Sequence, residues 1–342
     1  MAACLLGLAA AGCTGCAISA SVQSPARSAT TAPASQAATS ASPDPSASAS
    51  PATVPPATSA GPVPPGTSAR LPAGAFYVLA GRTLGSLNVW ELGAGRAVTQ
   101  LTHNRAGRGI DAFAASGAGI VLADAAGATD ELARWTRHGP AWLRHRHHGP
   151  FIHGSSPDIG GDGTVGYVTP PSGSGTHQDA EFAIWTQPSF ISQATVVYRQ
   201  RRPMDGPVFG PHGQIAIEGW TGPPGGRRPS VLIYAGGHVT TLSTGVSAIP
   251  SLVAWGHRAP ALAIAFPAHQ AELLSPDGAR RPLPFGWQPL AWNPSGTQLL
   301  MQSNTALGIW SASVPGRVRT VGVITPGMQI LQAVWLAHKA PM

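Results

Sequence analysis

The sequence has no cysteine beyond residue 16, although the chain runs to 342 residues. Because Cys4, Cys13 and Cys16 all lie at the N-terminus, the rest of the chain has no disulfide framework, no cysteine zinc site and no cysteine nucleophile. Charged residues make up only 10% of the sequence, and Lys339 is the only lysine. The surface of the folded part therefore depends on Ser, Thr, Gln, Asn and Gly for much of its polarity.

Helix-breaking residues, by contrast, are abundant. The chain contains 42 glycines and 34 prolines, and both residue types destabilise helix interiors. This composition favours many short strands joined by turns.

The N-terminus has the composition of an export and anchoring segment. Residues 2–12, AACLLGLAAAG, form an apolar run that is shorter than the about 20 residues of a membrane-spanning helix and has the length of a signal-peptide core. The stretch LAAAGC resembles a bacterial lipobox, which implies lipidation of Cys13, with Cys16 as a weaker alternative. Two features depart from the pattern: Ala stands three positions before Cys13, and no basic residue precedes the run. We predict a signal peptide with lipobox over residues 1–16.

Residues 17–73 are dominated by Ala, Ser, Thr and Pro. Such a segment cannot bury enough apolar surface to offset its ordering entropy, and its prolines favour extended conformations. We therefore predict a disordered tether that holds a domain away from the membrane, which places the domain outside the cytoplasm, anchored to the outer face of the bacterial cell membrane.

An apolar pattern that closes on a large side chain recurs from residue 74 onward. Its copies are LNVW, LARW, FAIW, VLIY, AELL and LGIW, which end at Trp90, Trp135, Trp185, Tyr234, Leu274 and Trp310. Successive copies are 36 to 50 residues apart. Each run is typical of a strand with one face buried.

Further short runs flank every copy. The preceding runs are AFYVLA, GIVLAD, TVGYVT, QIAIEG, ALAIAF and QLLMQS, and most of them follow a Gly- or Pro-bearing turn such as GGDG or NPSG. Each unit thus contains four short antiparallel strands, which is the content and period of a β-propeller blade. The sequence predicts an all-β fold of six blades.

The two ends of the repeat region predict how the ring closes. The first unit lacks its first strand, and the run QILQAVWLAHKA, residues 329–340, is left over at the C-terminus. This surplus strand would complete the first blade and leave no open sheet edge there. The propeller then covers residues 74–340.

These units resemble those of bacterial TolB-like propellers and the wider WD-repeat-like group. NPSGTQLL, residues 293–300, is the copy most similar to the Ser-Pro-Asp-Gly-type turn of those blades, whereas SPDG at 275–278 follows a third strand. No closing aromatic is followed by Asp, which departs from true WD repeats. The resemblance implies the fold rather than an activity, because propellers host many functions.

No motif for a known catalytic or nucleotide-binding site is present, so we assign no catalytic residue and expect no cofactor. The histidine-rich stretch at 137–154 provides weak metal-ligand candidates in His145, His147 and His148, against the simpler interpretation of a solvated basic loop.

Arginines in predicted blade connections are the main binding candidates. They are Arg105, Arg108, Arg201, Arg202, Arg227 and Arg228. If these loops open on one face, their guanidinium groups suit carboxylates or phosphates, although Asp124, Asp130, Asp179 and Asp205 fall in the same loop classes. Trp220 and Trp287, in predicted loops, are further candidates for ligand contact.

The favoured function is that of an envelope-anchored lipoprotein whose propeller is a ligand- or protein-binding scaffold. Its expected partners are the membrane, through the lipid anchor, and envelope proteins or anionic wall polymers; nucleic acid is not expected, because no aromatics interleave the arginines. One alternative is a lyase or glycan hydrolase with a central-channel site built on Asp111, Asp158 and Asp205. Another is the extracytoplasmic sensor domain of a signalling protein.

Overall fold

The computed structural model describes the domain with short gaps. The described residues are Pro65 and 71–93, 98–103, 109–125, 130–144, 152, 154–169, 181–202, 204–223, 226, 228–243, 251–266 and 270–342. Within these ranges the structure is nearly all strand, with two short 3₁₀ turns at Leu84–Ser86 and Pro211–Gly213. None of the described segments forms an apolar helix of membrane-spanning length.

The strands form six four-stranded antiparallel sheets, which confirms the predicted six-bladed propeller. Blades one to three contain β1 (Ala75–Gly81), β2 (Asn88–Leu92) and β3 (Val98–Gln100); β4 (Ile110–Ser116), β5 (Gly119–Ala125), β6 (Asp130–Thr136) and β7 (Gly139–Trp142); and β8 (Ser155–Ile159), β9 (Val165–Thr169), β10 (Phe182–Gln187) and β11 (Thr195–Gln200). Blades four to six contain β12 (Asp205–Phe209), β13 (Ile215–Thr221), β14 (Arg228–Ala235) and β15 (His238–Ser243); β16 (Ser251–Ala254), β17 (Leu262–Phe266), β18 (Gln270–Leu274) and β19 (Arg280–Pro282); and β20 (Gln288–Trp292), β21 (Gln298–Gln302), β22 (Ala306–Ser311) and β23 (Val314–Val323).

The C-terminal strand β24 (Gln329–Leu336) closes the ring as predicted. It pairs with β1 in antiparallel register from Ala75 opposite Leu336 to Gly81 opposite Gln329, and so becomes the innermost strand of blade one. A hydrogen bond from the Ala340 N–H to the Tyr77 hydroxyl, at 2.9 Å, extends this seam beyond the strand.

Strand direction determines which loops share an end of the ring. The inner strands β4, β8, β12, β16, β20 and β24 contact one another in that order, and β24 contacts β4. In each antiparallel blade, the connection from the preceding blade and the hairpin between the second and third strands lie at the end where the inner strand begins. We call this end the connection face. The opposite end, which carries the other two hairpins of each blade, is the hairpin face.

The apolar core lies between neighbouring blades rather than at the centre of the ring. Buried side chains form clusters between blades one and two, two and three, three and four, six and one, and across blades four to six. All five residues of β2 are buried. For β2 the expectation of one buried face was therefore wrong: neighbouring blades pack on both of its sides, so both faces lose contact with water.

The NPSG turn owes its shape to local hydrogen bonds and to the neighbouring blade. The Asn293 Oδ1 accepts the N–H groups of Thr297 at 2.8 Å and Gln298 at 3.0 Å. Gly296 has φ 72°, and a Cβ at this position would meet the Arg258 carbonyl of blade five. Glycine is thus required both for the backbone conformation and for the close approach.

Contacts with the propeller begin before residue 74. Pro65 is buried and its carbonyl accepts the Thr325 N–H at 3.1 Å, while the Ala73 carbonyl accepts the Trp335 indole N–H at 3.2 Å. Leu71 packs against the cluster between blades six and one. These contacts involve residues that the sequence assigned to the tether.

Candidate functional site

The structure describes five of the predicted binding residues. These are Arg201, Arg202, Trp220, Arg228 and Trp287. The other sequence candidates lie outside the described residues: Cys13, Arg105, Arg108, Arg227, His145, His147 and His148.

Arg201 and Arg202 lie in the connection between blades three and four, on the connection face. The next described residue, Met204, is buried and anchors this connection in the core between the two blades. Arg202 is half-buried, and its Nη1 donates to the Trp220 carbonyl at 3.3 Å. Burial raises the pKa of the nearby Tyr198 phenol, and the Arg202 cation opposes that shift. Arg201 is exposed.

Arg228 and Trp220 extend this group into blade four. Trp220 is half-buried near the end of β13, and Arg228 is exposed at the start of β14, where it pairs in register with Thr221. The hydrogen bond from Arg202 to Trp220 therefore brings the two arginine-bearing loops together. We call Arg201, Arg202, Trp220 and Arg228 the basic rim.

Acidic side chains occupy the inner strands instead. Asp111, Asp158 and Asp205 lie on the inner strands β4, β8 and β12 of three consecutive blades. Asp111 and Asp205 are exposed near the beginnings of their strands. Because inner strands line the axis of the ring, these carboxylates lie nearer to the axis than the arginines of the basic rim. Those arginines lie in a connection and at the start of the third strand.

Asp158 joins blades three and four through hydrogen bonds. Its Oδ2 accepts the Phe209 N–H of β12 at 2.6 Å, and its Oδ1 accepts the Ile159 N–H at 2.9 Å. Burial raises the pKa of this carboxyl to about 7, and the two N–H groups oppose the shift.

Ser156 makes a second link between the same blades. Its hydroxyl donates to the Asp205 Oδ1, which also accepts the Gly206 N–H at 2.8 Å. The Ser156 backbone has φ 48°, a conformation that residues other than glycine seldom adopt. Sequence reasoning gave no indication of this residue, because neither a serine nor its neighbours specify a left-handed conformation inside a strand.

Trp287 and Phe285 lie in the connection between blades five and six. Trp287 is half-buried, and its Cζ3 lies 2.6 Å from the position that a Cβ on Gly308 would occupy, so the indole packs over a glycine of β22. Phe285 is 81% exposed, because β19 ends at Pro282 and leaves it in the connection. The flanking Pro284 and Gly286 could have identified a loop tip here.

Among the described residues, no three His, Cys, Asp or Glu side chains come together as a group that could hold a metal ion. The connection face thus carries the basic rim at blades three and four, the exposed carboxylates Asp111 and Asp205 at the beginnings of their inner strands, and the exposed Phe285 two connections further round the ring.

Comparisons with known proteins bear on the fold. No protein-family model matches the sequence, and no curated protein matches it either. The structure is similar to TolB from Acinetobacter baumannii, with a TM-score of 0.56 and 15% identity over 78% of this chain and 67% of that chain. It is similar to a chain of a nidogen/laminin complex, with a TM-score of 0.52 and 15% identity over 78% of this chain and 99% of the other. An oligogalacturonate lyase in complex with manganese gives a TM-score of 0.46 at 12% identity, over 70% of this chain and 73% of that chain.

At these identities the similarities concern the fold alone. The similarity to TolB agrees with the TolB-like resemblance of the repeats. The chain is a six-bladed β-propeller with TolB among its structural neighbours.

Proposed function

We propose that this chain is a lipoprotein of the bacterial envelope, anchored through Cys13, whose propeller binds anionic groups at the basic rim of its connection face. The observation that carries the proposal is the hydrogen bond between Arg202 and the Trp220 carbonyl, which places Arg201, Arg202 and Arg228 at one end of blade four. The lipobox-like sequence and the long Ala/Ser/Thr/Pro-rich segment support the anchoring.

Charge availability supports anion binding by this rim. Neither Arg201 nor Arg228 forms an ion pair with a described carboxylate. A guanidinium group presents a planar set of donors that can hold two acceptor oxygens, and it keeps its charge at every physiological pH. Phosphate or carboxylate groups of wall polymers and lipid headgroups share the chemistry that this rim would recognise.

Polyphosphate binding tests the anion-binding part of the proposal. The reference protein is the full chain with Cys13→Ser, which prevents lipidation, and with all arginines of the basic rim in place. We expect retention on immobilised polyphosphate at low ionic strength. Retention should weaken steeply above about 0.15 M salt, where the screening length is about 8 Å. The triple variant Arg201→Ser, Arg202→Ser, Arg228→Ser should bind polyphosphate at least about tenfold more weakly than the wild type, because each lost guanidinium removes a charge-assisted contact.

A matched control removes the same charge elsewhere. Arg137, Arg317 and Arg319 are exposed, and they lie on a hairpin of the hairpin face and on the outer strand β23. Replacing these three arginines by Ser should leave the affinity for polyphosphate within about twofold of that of the reference protein. Equal losses in the two variants would mean that net charge alone attracts the polymer, and the proposed site would be wrong.

A second candidate function rests on the carboxylates of the inner strands. A carboxyl with a pKa of about 7 on the inner strand β8, which accepts the Phe209 N–H of the next blade, is suited to general acid or base catalysis in a lyase or glycan hydrolase. This candidate predicts cleavage of an acidic or neutral polysaccharide that Asp158→Asn abolishes. Screening the chain against such polymers with product-end detection tests it, and activity unchanged in Asp158→Asn would contradict it.

A further inference from the structure

The outer strand of blade six is the longest described strand of the propeller, and it lies at a sheet edge. β23 has 10 residues, whereas the outer strands of the other five blades have 3 to 6. Among the described strands it pairs only with β22, which has 6 residues. Of its residues from Val314 to Thr320, only Val318 is partly buried and the others are exposed. An edge of this kind can pair with a further strand.

Contacts on the inner side of β23 hold the strand in place. The Pro315 carbonyl accepts the Trp310 indole N–H at 2.7 Å, and Val318 packs against the core that spans blades four to six. Val321 is buried in the core between blades six and one. The edge is therefore already ordered before a partner binds, which lowers the entropy cost of adding a strand.

The charged side chains of β23 are basic, and no carboxylate of the same blade opposes them. Arg317 and Arg319 are exposed, and no Asp or Glu follows Asp277 in the sequence. Blade one, the neighbour on one side, has a single acidic residue, Glu91, which pairs with the Lys339 ammonium at 2.6 Å. The guanidinium groups on β23 are thus available to a negatively charged partner.

Arginines flank this strand on both sides of the sheet. Arg319 lies opposite Ile309, whose side chain belongs to the core between blades six and one, so Arg319 is on the side of blade one. On the side of blade five, the exposed Arg281 places its guanidinium 5.5 Å from the centre of the Trp310 ring, and Trp310 lies opposite Val318. A strand added to β23 would therefore meet positive charge on both of its faces.

The carboxylates of blade five are the remaining acidic groups near this edge. Glu272 pairs with Arg280 at 2.5 Å. Asp277 lies at the tip of the hairpin between β18 and β19, where its Oδ1 accepts the Ala279 N–H at 3.0 Å. Asp277 is thus the one carboxylate of blade five that no described arginine engages, against three arginines on and beside β23.

We infer that β23 takes up an extended acidic peptide of a partner protein as a fifth strand of blade six. Main-chain hydrogen bonds to the edge would supply affinity, and Glu or Asp side chains facing the arginines would supply specificity. A second copy of this chain is a poorer occupant, because two-fold antiparallel pairing about Val318 would set Arg317 of each chain opposite Arg319 of the other. The inference goes beyond the proposed anion binding, because β23 lies in blade six and the basic rim at blades three and four.

Fluorescence anisotropy with a dye-labelled peptide of alternating Thr and Glu tests the inference on the reference protein. The peptide has about eight residues and spans most of the edge at about 3.4 Å per residue. We expect saturable binding. The same peptide with every second residue N-methylated, and a peptide of alternating Thr and Lys, should each bind at least about tenfold more weakly. No binding of the first peptide, or equal binding of its N-methylated form, would overturn strand addition.

Charge-reversed variants locate the peptide on the protein. Arg317→Glu, Arg319→Glu should bind it at least about tenfold more weakly, because each reversal replaces an attractive cross-strand pair by a repulsive one. The matched control Arg82→Glu, Arg137→Glu reverses two exposed arginines in hairpins of blades one and two, and it should bind like the reference protein. Equal losses in the two variants would mean that net charge alone attracts the peptide, and would overturn the inference.

Polyphosphate and self-association assays distinguish this inference from its alternatives. Polyphosphate has no main-chain groups with which to extend a sheet, so Arg317→Glu, Arg319→Glu should still bind it even though peptide binding is lost. Loss of peptide binding in the triple variant of the basic rim instead would place the peptide at that rim. A dimer of the reference protein that Arg317→Glu, Arg319→Glu dissociates would show a second copy on the edge. Either of these two results would overturn the inference while leaving the proposed function standing.

Discussion

Asp158 makes the stability of the propeller dependent on pH, in a direction that the structure specifies. Burial raises the pKa of its carboxyl from 3.8 to about 7, so the folded state holds the proton more tightly than the unfolded chain does. The contribution of this group to the free energy of unfolding is therefore complete below about pH 4 and is lost as the pH rises to about 7. The replacement Asp158→Asn removes the ionisation and with it this loss.

The magnitude follows from the same pKa difference. At 1.36 kcal/mol per pKa unit, the change from 3.8 to about 7 corresponds to about 4 kcal/mol. Because the Asp158 residue is half-buried, water screens part of the charge and we expect about 2 kcal/mol. That is a large share of the about 5–15 kcal/mol by which a typical domain is stable.

Urea unfolding of the wild type and Asp158→Asn between pH 4 and pH 8 measures the effect. The free energy of unfolding of the wild type should fall by about 2 kcal/mol relative to the variant across this range. Asp277→Asn, on the exposed hairpin between β18 and β19, is the control and should follow the wild type. Parallel pH profiles for the wild type and Asp158→Asn would refute the assignment of a raised pKa to this carboxyl.

Three further predictions follow from closure, packing and anchoring. Deleting residues 329–342 exposes an edge of β1 and should cause aggregation or loss of cooperative unfolding. Deleting residues 17–64 should leave the melting temperature within about 2 °C of the wild type. Equal melting temperatures for the C-terminal deletion and the wild type would contradict the closure. Gly308→Ala should cost about 1–3 kcal/mol in urea unfolding, because its methyl group would meet Val318 and Trp287, whereas Gly316→Ala, with open space around it, should be neutral; similar losses in both would refute the packing argument. Cys13→Ala should leave the protein soluble or unprocessed on cell fractionation, and unchanged membrane association with no lipid-modified peptide by mass spectrometry would refute lipidation.

The sequence was sufficient to predict the blades because each strand leaves a local pattern. The runs LNVW and LGIW became the core of β2 and β22, and the surplus run at 329–340 became β24. Asn293 and Gly296 specify their turn through one side-chain acceptor and one positive φ, both of which are local properties. The double-sided burial of β2 was not predictable from its own residues, because it depends on how two neighbouring blades pack.

The candidate site was less predictable, because its properties arise between blades. Asp158 accepts the N–H of Phe209, 51 positions along the chain, and the partner of Ser156 is 49 positions away. The exposure of Phe285 depends on where β19 ends. For Arg201, Arg202 and Arg228, the predicted loop class agrees with the end of the ring at which they lie, but the hydrogen bond from Arg202 to Trp220 could not be predicted from the sequence.

Hydrogen exchange of the full chain, carrying Cys13→Ser, with and without polyphosphate tests binding at the connection face most directly. The account predicts slower exchange in peptides that cover Arg201–Asp205 and Trp220–Arg228, and unchanged exchange in the hairpins at 188–194 and 311–316 on the hairpin face. Protection confined to the hairpin face, or no protection anywhere under conditions of binding, would contradict it.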